Sequence, residues 1–300
     1  MLMLTVLLVV VHNVGANKTL EAKVVGFQTE ISLYPHAVFM LVKRHHGDYI
    51  CGTYKKKVIF VVHNVGANKT LEAKVVGFQT EISLYPHAVF MLVKRHHGDY
   101  ICGASILNQK ILLTAAHCIE KPYKSVAIFA GHTANDLGQR YPVREVVPHE
   151  MYNVRTVDYD IGLVLVAKPI KLGPMVQKVA IGHYPIESDT AAVAGWGLVD
   201  EENQISSKYL HYAKLKVWSY ERCRTFMSTL PRGCICAGDF EGKTYAAPGD
   251  SGSGLIAEGY ILIGVVSYKG QDLRSIVAFT DPSYYFLWIR DTAKRLFCDY

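Results

Sequence analysis

The sequence predicts an all-β protein: a sandwich or a set of barrels in one continuous unit of about 220 residues, closed by a short C-terminal helix. Three observations point there. Short β-branched and aromatic runs recur along the chain. Gly, Pro, Asn and Asp punctuate them at intervals too short for helices. Only the last stretch changes character. In order, the strand candidates are Ala88–Val93, Lys110–Thr114, Ser125–Ala130, Ile161–Val166, Ala192–Ala194 and Tyr260–Val266. The change comes at residues 284–297, where Leu287, Ile289 and Leu296 stand among Arg and Lys, which suits a short closing helix.

Composition narrows the class. The chain has 300 residues, 50% hydrophobic and 19% charged, which excludes a disordered chain and allows a packed core. The net charge of +6 is spread out, apart from Lys55-Lys56-Lys57 and two Lys-Arg-His-His runs. Without a basic stripe interleaved with aromatics, nucleic acid is not an expected partner. No apolar run reaches the roughly 18 residues of a membrane span.

Residues 1–10 are almost wholly apolar, and Val14-Gly15-Ala16 places small residues where a signal peptidase reads. Residues 1–16 therefore read as a secretory signal, although no positive side chain precedes the apolar run. The alternative is a buried first strand. Seven cysteines suit an oxidising compartment, and the odd number leaves at least one unpaired or bonded to another chain.

A duplication interrupts this pattern. Residues Val10 to Gly52 recur without change at Val61 to Gly103, an offset of 51. Two perfect copies are not a solenoid array, which needs about three related units to bury a continuous face. They point to a recent tandem duplication or an error in assembling the reading frame. Only the second copy is continuous with the remainder of the β-rich unit. Both copies carry a glycosylation sequon, at Asn17 and Asn68.

Three segments carry chemistry. His117 follows an apolar strand, Asp160 precedes another, and Ser251 sits in the glycine-flanked run Gly249-Asp250-Ser251-Gly252. Each alone is ordinary: a core histidine, a cap, a turn serine. Together they supply the groups that acyl transfer requires. A serine hydroxyl needs a base to take its proton during attack, and imidazole titrates in the right range. The imidazole needs a buried carboxylate to fix its tautomer and stabilise its charged form. Flanking glycines let the chain turn so that the N–H groups of Gly249 and Ser251 face the developing oxyanion, each such donor being worth about 3 kcal/mol.

The order His117, Asp160, Ser251 resembles that of the chymotrypsin-like (trypsin-like) serine proteases, and the resemblance runs from about Val75 to the end. Lys74-Val75-Val76-Gly77 resembles the family's activation junction. Tyr85-Pro86, Cys102–Leu107, Gly195-Trp196-Gly197, Cys236-Ala237-Gly238, Gly264–Tyr268 and Trp288-Ile289 resemble further family segments in the right order. The resemblance implies two packed antiparallel β-barrels with the three residues in the cleft between them. It implies a division into a signal (1–16), a propeptide region with the first copy (17–74) and a protease domain (75–300). It also implies a zymogen, in which cleavage after Lys74 frees the amine of Val75 to pair with Asp250. Disulfides Cys102–Cys118 and Cys223–Cys236 are implied by it too, leaving Cys51, Cys234 and Cys298 unassigned.

The departures from the family are informative. A cysteine is missing at Ala247 and from residues 269–279, and Ser253-Gly254 replaces Gly-Pro. The substrate-binding positions become Tyr245, Ser267, Tyr268, Lys269 and Val277. Tyr245 stands where trypsins carry an aspartate, so Lys or Arg before the scissile bond is not expected. A small or apolar side chain is the first choice, and an acidic one meeting Lys269 the second; Lys269 otherwise reads as a surface lysine. The loop 131–140 has no acidic pair, so no metal site is inferred. The His45-His46 and His96-His97 pairs read as an exposed hairpin loop.

The resulting expectation is a secreted serine endopeptidase without cofactors. Its partners would be protein or peptide substrates, an activating trypsin-like protease and protein inhibitors. The rival readings are a non-catalytic homologue acting as a binding module, kept open by Ser253 and Lys269, and a chain left unfolded by the duplication.

Overall fold

The computed structural model describes residues 77–96, 98–185, 188–270 and 274–298, together with a two-residue pair, β1 (Leu7–Leu8) and β2 (Val25–Gly26), joined antiparallel. Lys74, Val75, Cys51 and the remainder of the signal, propeptide and duplicated segments lie outside the described residues.

The first barrel contains β4 (Ala88–Arg95), β5 (Gly98–Ile106), β6 (Ile111–Thr114), β7 (Ser125–Ala130), β8 (Gln139–Pro148) and β9 (Gly162–Val166), closed in the order β4-β5-β6-β9-β8-β7. Along β4, Val89, Met91 and Val93 are fully buried, as the period-2 geometry of a strand requires of one face. They meet Ile106, Leu112, Ile128, Leu163 and Leu165 in one core. β8 carries Pro142 and Pro148, which cannot donate to a ladder, and its register with β9 shifts between Val143 and Glu145.

The second barrel is built from β11 (Thr190–Gly195), β14 (His211–Trp218), β15 (Cys234–Gly238), β16 (Gly254–Ala257), β17 (Ile261–Lys269) and β18 (Ile276–Thr280). The ladder β17-β16-β11-β14-β15-β18 returns to its start because β17 also pairs with β18. Two short strands extend it: β10 (Ala180–Ile181), parallel to β17, and β3 (Phe78–Gln79), antiparallel to β14. Its core gathers Val193, Leu215, Leu255, Val277 and Phe279. A hairpin of β12 (Leu198–Asp200) and β13 (Ile205–Ser206) stands outside the barrel.

Helices are few. α1 (Ala116–Ile119) is one turn following β6, and α2 (Tyr220–Cys223) is capped by the Ser219 hydroxyl. The closing helix α3 (Phe286–Cys298) buries Ile289, Thr292 and Leu296, its two apolar residues joining the first-barrel core. None of these helices is long and apolar enough to cross a membrane.

Candidate active site

The two barrels bring together residues far apart in sequence. His117 lies on α1, just past β6, and Asp160 two residues before β9. Ser251 lies in the loop between β15 and β16. Asp160 is buried and bonded through both carboxylate oxygens and its carbonyl. Its Oδ2 lies 2.8 Å from His117 Nδ1 and accepts from the Ser267 hydroxyl at 2.5 Å. Its Oδ1 accepts the His117 backbone N–H at 2.9 Å, and its carbonyl accepts from the Thr280 hydroxyl at 2.8 Å. Burial by itself would raise the Asp160 pKa. The His117 ring, the Ser267 hydroxyl and the His117 N–H outweigh it and hold the carboxyl below its ordinary range. Burial likewise pulls His117 down, but the charge and hydrogen bond of Asp160 outweigh it and the imidazole sits above its ordinary value. Arg95 holds the far side of this turn, donating from Nη2 to the His117 carbonyl at 2.8 Å.

Ser251 is gripped by the opposite barrel. Its carbonyl accepts the Gly103 N–H at 2.7 Å, and the Gly103 carbonyl in turn accepts from the Thr114 hydroxyl at 2.8 Å. The Cys102–Cys118 disulfide joins this strand to the histidine turn. Both the Ser251 carbonyl and His117 Nε2 lie 3.7 Å from Cys118 Sγ, which makes the serine and the imidazole neighbours. No hydrogen bond joins the Ser251 hydroxyl to the ring; such bonds are often loose without substrate. Cys102, Cys118 and His117 cluster tightly enough to suggest a metal site. The two sulfurs are bonded to each other, however, and offer no thiolate.

The backbone around Ser251 needs its glycines. Gly249 has φ +99°, and a Cβ there would lie 2.9 Å from Gly197 Cα. Gly252 has φ +79°, and a Cβ there would collide with Thr114 Oγ1 and the Gly103 carbonyl oxygen. Among the described residues, the N–H groups of Gly249 and Ser251 donate to no protein acceptor, whereas Asp250, Gly252 and Ser253 donate to backbone carbonyls. Two such free donors at the serine can stabilise an oxyanion.

Asp250 turns away from the cleft. Its Oδ1 accepts the Gly197 N–H at 2.8 Å and its Oδ2 the Ala247 N–H at 2.9 Å. No cation is bonded to it among the described residues, and burial pushes it up to about 6. A cavity of about 20 Å³ adjoins it, lined by Gly77, Gly195, Gly197 and Tyr212 among others.

The positions read as substrate-binding divide. Ser267 directs its hydroxyl to Asp160, and the Tyr268 hydroxyl is buried without a hydrogen bond. Tyr245, Lys269 and Val277 converge. Val277 is fully buried and lies across the ladder from Lys269, whose ammonium sits 4.1 Å over the Tyr245 ring. Lys269 is not a loose surface lysine: it is ion-paired with Glu201 of the β12–β13 hairpin. Sequence reasoning named neither Glu201 nor Thr280, and nothing local to either residue marks it. Cys223 is bonded to Cys236, Cys298 is also disulfide-bonded, and Cys234 is a buried free thiol.

Residues 74–289 match the family described as Trypsin. Trypsin epsilon of Drosophila erecta is 30% identical over 236 residues, covering 75% of this chain and 90% of that protein. Duodenase-1 of Bos taurus is 30% identical over 229 residues, covering 73% of this chain and 88% of its own. Among solved structures, the scabies mite inactivated protease paralogue S-D1 superposes with a TM-score of 0.66 at 26% identity, covering 73% of this chain and 98% of that one. Two barrels with a histidine, an aspartate and a serine at their junction define a chymotrypsin-like serine protease. The chain belongs to the trypsin family.

Proposed function

We propose that the chain is a secreted serine endopeptidase, made as a zymogen, which hydrolyses peptide bonds through an acyl-enzyme. Ser251 attacks the carbonyl. His117 takes the serine proton as general base and returns it to the leaving amine as general acid. Asp160 orients the ring and stabilises its charged form, and the N–H groups of Gly249 and Ser251 hold the oxyanion. The observation carrying this reading is the His117–Asp160 contact, with Asp160 further fixed by Ser267 and Thr280.

Residues 1–16 act as the signal and 17–74 as the propeptide region. Cleavage after Lys74 supplies the Val75 amine to Asp250. The cavity beside Asp250, reached by Gly77, supports that destination, since a buried carboxyl with only neutral donors gains most from a cation. With Tyr245 at the pocket and Glu201 already paired with Lys269, a Lys or Arg guest has no free counter-charge. The test is labelling of Lys74-cleaved protein with a sulfonyl fluoride or organophosphate. Stoichiometric modification of Ser251, lost with Ser251→Ala together with peptide hydrolysis, is the expected result. An unlabelled, folded, cleaved protein would instead identify a binding module.

A further inference from the structure

The positions read as the substrate pocket are already filled by the protein's own side chains. Lys269 sits at the end of β17, where the strand leaves Ser267, the residue bonded to Asp160. Its side chain folds over the face of Tyr245, and the wall across the ladder, Val277, is apolar and fully buried. Lys269 and Glu201 are only 21% and 17% exposed in their side chains. This is an ion pair largely withdrawn from water, unlike the solvated pairs at the surface. Arg274 adds a second positive field at Lys269. The Asp250 carboxyl acts on Lys269 only at a distance, its oxygens being taken by the Gly197 and Ala247 N–H groups. Glu201 is therefore the one carboxylate bonded to this ammonium among the described residues.

This arrangement constrains which side chains can enter. A side chain placed against Tyr245 must displace Lys269 or share the space with it. An apolar guest that separates Lys269 from Glu201 leaves an ammonium unpaired in a site largely withdrawn from water, which is unfavourable. A basic guest adds a third positive charge. A carboxylate guest can take the place of Glu201 and keep the ammonium paired over the same aromatic ring, while Glu201, on a hairpin outside the barrel, swings into water.

We propose that Glu201 is a built-in competitor for the substrate: it occupies Lys269 until the carboxylate of an Asp or Glu residue before the scissile bond replaces it. The inference rests on the serine endopeptidase reading above and adds the substrate class. Lys269 becomes the specificity residue, and Glu201 sets the apparent affinity, because a pocket open for only a fraction of the time binds proportionately more weakly.

The test uses the full chain cleaved after Lys74, with active sites counted by organophosphate titration of a separate sample, and assays the unlabelled protein on peptides that differ only in the residue before the scissile bond. The wild type is expected to prefer Asp and Glu over Ala, Leu and Lys. Glu201→Gln is expected to lower KM for the acidic peptides by about tenfold while kcat changes little, as removal of a competitor requires. Lys269→Met keeps the length of the side chain and is expected to abolish the acidic preference. An enzyme whose titrated sample takes the label but whose unlabelled protein prefers neutral residues in both wild type and Glu201→Gln, or whose KM for acidic peptides ignores Glu201, overturns this inference alone. A Ser251 that takes no label overturns the protease reading and this inference with it.

Discussion

Cleavage after Lys74 is expected to stabilise the protein against heat, and the pH dependence of that gain identifies Asp250 as its source. In the uncleaved chain the Asp250 carboxyl is pushed from 3.8 to about 6 by burial. A carboxyl whose folded pKa is raised binds its proton more tightly in the folded state. The stability this confers is fully present below the ordinary pKa and is lost as pH rises through the folded value. A pKa raised by about two corresponds to about 3 kcal/mol lost by pH 7, and to about half of that by pH 5. An ammonium delivered to the cavity at Asp250 removes the penalty. For a domain of this size each kcal/mol moves Tm by roughly 2–4 °C, so the cleaved chain should melt roughly 6–12 °C higher at pH 7. Scanning calorimetry of cleaved and uncleaved protein from pH 4 to 7.5 reads this directly. A gap that is absent, or equally large at pH 4 and pH 7, refutes the assignment to Asp250.

Other consequences are as direct. Gly249→Ala places a Cβ 2.9 Å from Gly197 Cα at φ +99°, so it should displace an oxyanion donor and lower kcat by about 100-fold, read by steady-state kinetics on folded protein. Purified uncleaved chain should not activate itself at its Lys74–Val75 bond, because Tyr245 offers a lysine no counter-charge; activation second order in protein concentration would contradict this. Disulfide mapping by mass spectrometry should return Cys102–Cys118 as the major peptide. A major Cys51–Cys118 peptide would show the first copy of the duplication in the barrel.

Legibility in the sequence followed the range of the interactions. β4, β7 and β9 could be read because runs such as 125–130 are rich in β-branched and aromatic residues. β8 could not: Pro142, Pro148 and three charged residues mask a strand that survives through a shift of register. The residue types of the site were visible in order along the chain, since His117, Asp160 and Ser251 each sit in a distinctive local segment. Their support was not visible. Ser267 and Thr280 reach Asp160 across 107 and 120 residues, and Glu201 reaches Lys269 across 68. Such contacts depend on barrel closure, which no local pattern encodes. Lys269 shows the difference best: the sequence left open a lysine in solvent, and the fold turns it inward onto an aromatic ring.

The Ser253 hydroxyl has a consequence for which changes this chain can accept, and in what order. It fills the space that a Cβ would need at Gly103, which it would overlap outright; at Gly195 it would lie 3.1 Å away, but Asp250 Oδ1 stands in the way there first. Gly103 is also the residue whose N–H holds the Ser251 carbonyl. A mutation that adds a side chain at 103 while Ser253 is present therefore collides first with the hydroxyl and then pushes on the nucleophile's own backbone. With glycine at 253 that first obstacle disappears, and the nearest remaining atom is the backbone α-carbon of residue 253, at 3.0 Å. Positions 103 and 253 form an epistatic pair: random mutagenesis should recover side chains at 103 only in clones that have already lost the hydroxyl at 253.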